Sequence, residues 1–164
     1  WKADKAQSGV LIDVASGETV VRGLCVPHSP RCYRGHVFLL NSGQGQLSVV
    51  DVATGKIETV VTLPGYARGL AFHGKFAFVG LSLTRETDTF GTLPISDRLG
   101  ASERKCGIYA IDLESGNIAG FLHFDAGCAE LFDIQVLPGM RFPTVVGFQG
   151  QTLDGILIAP PSAW

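Results

Sequence analysis

Hydrophobic and polar residues alternate with a period of two along much of this chain, in short runs broken by glycine-containing turns. In residues 47–64, LSVVDVATGKIETVVTLP, Leu47, Val49 and Asp51 fall on one side of an extended backbone and Ser48, Val50 and Val52 on the other, because successive strand side chains point to opposite faces. Ala53-Thr54-Gly55 follows, and then the β-rich run from Ile57 to Leu63. This pattern predicts a β-hairpin closed by a three-residue turn with a left-handed glycine, in which Asp51 accepts backbone N–H groups. Nearly the same text occurs as VLIDVASGETVVRGL from Val10 and GIYAIDLESGNIAGFLHF from Gly107. Three copies of Asp-x-x-[Ser/Thr]-Gly between β-rich runs mark a repeat.

A second pattern recurs between the hairpins. SPRCYRGHVFLLNSG (29–43) and RGLAFHGKFAFVGLS (68–82) each read as a strand, a tight turn at Gly35 or Gly74, and an apolar strand. ELFDIQVLPGMRFPTVVGF from Glu130 has the same plan with a longer turn at Pro138-Gly139. Asp13 and Asp51 are 38 residues apart, and Gly35 and Gly74 are 39 apart. Asp51 and Asp112 are 61 apart, the excess being an insertion of about twenty residues within 83–105, read as a polar loop with one helical turn.

A period near forty built from four short strands is the mark of a β-propeller blade. The expected fold is therefore all-β, with propeller-type blades of four antiparallel strands and about three blades' worth in this chain. Residues 9–24 form the outer hairpin of a first blade and 28–63 a whole blade. Residues 67–125 form a blade carrying the insertion at 83–105, and 129–159 supply the inner strands of a further blade. Propellers close with about four to eight blades. The chain is thus expected to be half a ring, completed by a second copy of itself or by the missing half of a longer chain. A β-sandwich is the competing architecture, and a helix over AGCAELFDIQVL the competing local reading; the repeat outweighs both.

Composition narrows the function classes. A length of 164 residues suits one domain. Only 17% of residues are charged and 46% are hydrophobic, so much apolar surface must be covered by the core or a partner. A net charge of −2 gives no basic footprint for nucleic acid, and no apolar run is long enough for a membrane helix. Cys25, Cys32, Cys106 and Cys128 form no CxxC pair, which argues against a zinc ribbon; they are read as reduced thiols in a cytoplasmic protein, with a periplasmic location as the alternative.

The segments CVPHSPRCYRG, LLNSG, LPGYARGLAFHG, VGLSLTRET, KCGIYAIDLESG and ELFDIQVLPGMRFP resemble a bacterial family of conserved hypothetical, propeller-like proteins of unknown function. The resemblance runs from about Gly9 to Gly147 and implies that this chain corresponds to the family's C-terminal half. Cys25 and Cys32 stand where that pattern carries a methionine-like and an aromatic residue, so neither is a family catalytic residue. Cys106 lies in a motif that matches.

In a propeller the innermost strands line the central channel, and the loops entering them rim one mouth. The repeat places Ser29, Arg68 and Glu130 at one equivalent position near the start of an inner strand, with His28 and Arg31 beside the first. These five are the candidate ligand-binding residues, since arginines grip carboxylate or phosphate bidentately. His28, Glu130 and Asp133 are the catalytic candidates, the imidazole as general base with a carboxylate as its orienter or as the acid. A lactonase-like hydrolase or lyase would hold Ca²⁺ through Asn41, Glu130 and Asp133.

The structural alternative pairs Arg68 with Glu130 and gives His28 a backbone carbonyl. Asp13, Asp51 and Asp112 read as turn acids, while His36 and His73 sit at exposed turns and His123 in an outer strand. No HExxH, EF-hand loop or P-loop is present. Gly43-Gln-Gly45 precedes no helix, and Ser42 lacks a GxSxG setting. Lys105 would lower the pKa of an accessible Cys106, but a buried structural thiol is expected there. The expected function is a non-enzymatic binding module with no resident cofactor, whose partners are a small anion and another copy of itself or the missing half. The alternatives are the hydrolase or lyase and a purely architectural half-ring.

Overall fold

The computed structural model describes residues 4–83, 93–141 and 143. Their fold is all-β, built from antiparallel sheets whose strands follow one another in chain order. Strands β1 (Gly9–Ile12) and β2 (Thr19–Leu24) form a hairpin. Strands β3 (Pro27–Tyr33), β4 (His36–Asn41), β5 (Gln46–Asp51) and β6 (Lys56–Thr62) form one four-stranded sheet. A second comprises β7 (Tyr66–His73), β8 (Phe76–Ser82), β9 (Gly107–Asp112) and β10 (Ile118–His123). The edge strands β3 and β7 lie beside each other, which is how the inner strands of neighbouring propeller blades sit.

The three repeated turns are built alike. Asp13, Asp51 and Asp112 each accept, through Oδ1, the backbone N–H two residues on, at 2.9 Å in all three. The N–H of Gly17, Gly55 and Gly116 closes on the carbonyl of the same aspartate at 2.8 Å, with φ of 74°, 72° and 70°. Asp51 pairs with Lys56 across the hairpin, so the connection is four residues rather than the three expected. The aspartate accounts for the difference, because its side chain and carbonyl together cap a full α-turn before the left-handed glycine. Hydrogen bonding to Thr54 and then to the Ala53 amide holds the Asp51 carboxyl below its usual value. For Asp112 the Lys75 ammonium, 2.7 Å away, is the main cause of the same downward displacement.

Alternation places the core on both sides of the β3–β6 sheet. Phe38, Leu40 and Leu47 pack with Leu70, Val79, Leu81, Tyr109 and Ile111 of the next sheet. Leu39 and Val50, one residue out of phase, pack with Val21 and Leu24 of the hairpin. Burying a leucine fully is worth about 1.5–3 kcal/mol, so stacking sheets on both faces is the main source of stability. The arrangement fits half of a propeller.

Two regions differ from the expected pattern. The insertion is not merely polar: helix α1 (Pro94–Arg98) anchors it, and Leu93 and Ile95 are fully buried against Cys25. Arg98 also donates to the carbonyl of Leu63 at 2.8 Å. Beyond β10, residues 124–141 carry no strand, although inner strands were expected over 129–159; residue 142 and residues from 144 onward lie outside the described residues, as does the expected strand at Gly155–Ala159. The segment is still held against β7 and β8. Leu131 and Ser82 exchange hydrogen bonds through the serine hydroxyl, and Leu131 and Ile134 lie over Gly80. Side-chain contacts and a backbone hydrogen bond from Leu83 N–H to the Ala129 carbonyl, rather than a β-ladder, fix it there.

Candidate functional site

Strands β3 and β7 carry a bulge at the same place. His28 pairs with Leu40 and Arg31 with Phe38, leaving Ser29 and Pro30 opposite Leu39. Ala67 pairs with Leu81 and Leu70 with Val79, leaving Arg68 and Gly69 opposite Gly80. A bulge adds one residue to a strand, bends it and re-aims the side chains beside it. The two bulges are joined, because the Gly69 N–H donates to Ser29 Oγ at 3.2 Å. Ser29 and Arg68, equivalent in the repeat, thus occupy matching bulges in adjacent strands.

His28 is half-buried and fixed from one side. Its Nδ1 lies 3.0 Å from the Val26 carbonyl and 3.0 Å from Ser42 Oγ. The Ser42 hydroxyl donates its proton to the carbonyl of Ala67. Both neighbours of Nδ1 therefore present acceptors, which places the imidazole proton on Nδ1 and leaves Nε2 unprotonated. Burial, with the Arg68 charge contributing, lowers the His28 pKa, so the ring is neutral at pH 7. The backbone around it is strained: Val26 has φ 49° and Ser29 φ 51°, costly for a β-branched residue above all. Asn41 Oδ1 holds the Cys25 amide at 2.7 Å on one flank of that turn.

The segment after β10 completes the cluster. The Arg68 guanidinium lies 4.4 Å from the centre of the Phe132 ring, and Arg31 reaches Asp133 at 3.6 Å. A Cβ on Gly69 would come within 2.8 Å of the Asp133 backbone, so only glycine allows that approach.

Of the residues singled out in the sequence, the structure brings together His28, Ser29, Arg31, Arg68 and Asp133. Glu130 is half-buried in the same segment, where its carbonyl accepts the Cys128 thiol at 3.4 Å. Asn41 is not part of the cluster: it is buried, with Oδ1 on Cys25 and Nδ2 on Gln44 at 3.0 Å. Among the described residues no group of three or more His, Cys, Asp or Glu side chains is arranged to hold a metal ion. Ser42 and Phe132 were not legible as site residues, though Gly69 inside a strand pattern was a signal of the bulge.

Residues 1–146 match the family described as a domain of unknown function, DUF4915. The chain belongs to that family. No curated protein and no solved structure matches it. Membership accords with the uncharacterised family that the sequence motifs suggested.

Proposed function

We propose that this DUF4915 chain is a propeller-type, non-enzymatic binding module that takes a small carboxylate or phosphate anion between the bulges of β3 and β7. Arg68 carries the reading. Its guanidinium lies over the Phe132 ring, 4.4 Å from its centre, and has no carboxylate at ion-pair distance among the described residues. A cation–π contact leaves guanidinium N–H groups for a bidentate acceptor such as a carboxylate or phosphate. Arg31 adds a second cation whose exposed pairing with Asp133 is worth about 0–1 kcal/mol and yields readily to a better acceptor.

Inorganic phosphate, compared with chloride at equal ionic strength, is expected to raise Tm. A ligand at a hundred times its Kd adds about 2.7 kcal/mol to stability. Arg68→Ala is expected to abolish the rise. An equal rise in that variant removes Arg68 from the site, and no rise in either protein with phosphate or citrate removes the anion reading.

The hydrolytic alternative has one observation in its favour, a His28 ring whose Nδ1 is held by the Val26 carbonyl and Ser42 and whose pKa is lowered by burial. Asp133, one of its two carboxylate candidates, is turned to Arg31 instead.

The same reading includes assembly, because about three blades cannot close a ring. The β7–β10 face away from β3–β6 presents Leu122, 55% exposed, beyond the strip that Leu131 and Ile134 cover. We propose that a second copy supplies further blades across it. Light scattering at micromolar concentration is expected to give twice the chain mass; a well-folded monomer overturns completion by a second copy.

A further inference from the structure

We propose that Cys106 and Cys128 form an oxidisable dithiol that reacts with a small-molecule disulfide of the glutathione type and closes to an internal disulfide. The inference is independent of the anion site. Cys106 immediately precedes β9, and Cys128 begins the segment that crosses to Arg68 and Arg31. Their sulfurs are 3.9 Å apart, the Cys106 thiol directed at Cys128 Sγ. Two backbone links hold the chain on either side of this point: Phe124 N–H donates to the Cys106 carbonyl at 2.9 Å, and Leu83 N–H to the Ala129 carbonyl at 2.9 Å. The pair is therefore held by backbone on both sides rather than by a chance approach of two rotamers.

The two thiols differ in access, which sets their order of reaction. Cys106 is buried, 3% exposed, whereas Cys128 is half-buried. Burial, with the Cys128 hydrogen bond second, pushes the Cys106 thiol up to about 11, and only the thiolate attacks a disulfide. Cys128 accordingly reacts first. It loses its proton, its sulfur bonds to one sulfur of the oxidised glutathione, and the other leaves as glutathione thiolate. Cys106 then loses its proton and attacks Cys128 Sγ. The mixed sulfur–sulfur bond breaks, and a second glutathione thiolate departs. The two cysteines are oxidised, one glutathione disulfide is reduced, and the two released protons return to the two glutathione thiolates.

The closed bond would tie residues 128–133 to β9, and so fix the chain that carries Phe132 and Asp133. Cys25 and Cys32 are internal controls: Cys25 is fully buried away from another thiol, and Cys32 is exposed.

The test is to incubate the folded protein with oxidised glutathione, quench with acid and map the peptides without reduction. The expected product joins the peptides of Cys106 and Cys128, with the loss of two hydrogens and reversal by dithiothreitol, while Cys32 carries a glutathione adduct. In Cys106→Ser the mixed disulfide is expected to persist on Cys128. A stable adduct on Cys128 of the unmodified protein with Cys106 still free, or no reaction at Cys128 while Cys32 is fully modified, overturns the proposal.

Discussion

Replacing Leu47 by alanine is expected to destabilise the protein by about 3 kcal/mol, within the range of roughly 2–5 measured for fully buried leucines. Leu47 is 0% exposed, on the face of β5 that packs with Leu40, Leu63 and the next sheet. Truncation removes its transfer free energy and leaves a cavity that two sheets held by separate ladders cannot close. For a chain of this size the loss corresponds to a Tm lower by about 6–12 °C, readable by calorimetry or urea titration. Val52→Ala is the matched control, since Val52 is 56% exposed in the hairpin turn, and it is expected to change Tm little. A loss below about 1 kcal/mol for Leu47→Ala would mean that the two sheets do not share a packed core.

The second large effect is at Gly80. A Cβ there would stand 2.3 Å from the backbone oxygen of Arg68 and 3.2 Å from Ile134 Cδ1. The first contact cannot be relieved by rotating a side chain, so Gly80→Ala must displace the β7 bulge or the strand itself. Overpacking of this kind costs about 1–3 kcal/mol. The shift also moves Arg68 relative to Ser29 and Phe132, so the variant is expected to lose both stability and the phosphate-dependent rise in Tm. Gly120→Ala is the control, because nothing lies within 4 Å of a Cβ built at Gly120. Retention of stability and of the phosphate response in Gly80→Ala would show that β7 is not held against β8 as tightly as the structure has it.

Much of the fold was legible because its signals are local. Period-two alternation and the Asp-x-x-[Ser/Thr]-Gly turn act within about six residues, and each copy of the turn makes its hydrogen bonds to its own neighbours. The turn length was misjudged by one residue, since the capping carbonyl and carboxylate of the same aspartate leave no separate trace in the text. The insertion misled for another reason: its many polar residues mask Leu93 and Ile95, whose burial depends on Cys25 far away in the chain. In the segment from Glu130, the repeat suggested strands where hydroxyl hydrogen bonds to Ser82 and packing over Gly80 fix the chain instead. The site was legible only as a list. Alignment of the repeats picked out Ser29 and Arg68 as equivalents, but Ser42 beneath His28 and Phe132 beneath Arg68 are contacts between distant segments.

By itself the sequence determined the all-β class, the four-stranded sheets and the role of Asp13, Asp51 and Asp112 as turn acids, all properties of short stretches of backbone. The tertiary structure alone decided which cations and bases meet. Bulges in two neighbouring strands bring Ser29 onto the Gly69 amide, Asn41 is drawn away to cap the Cys25 turn, and Cys106 is set against Cys128. Those outcomes depend on distances between strands, and strand-to-strand distance is fixed by core packing, which no stretch of forty residues encodes alone.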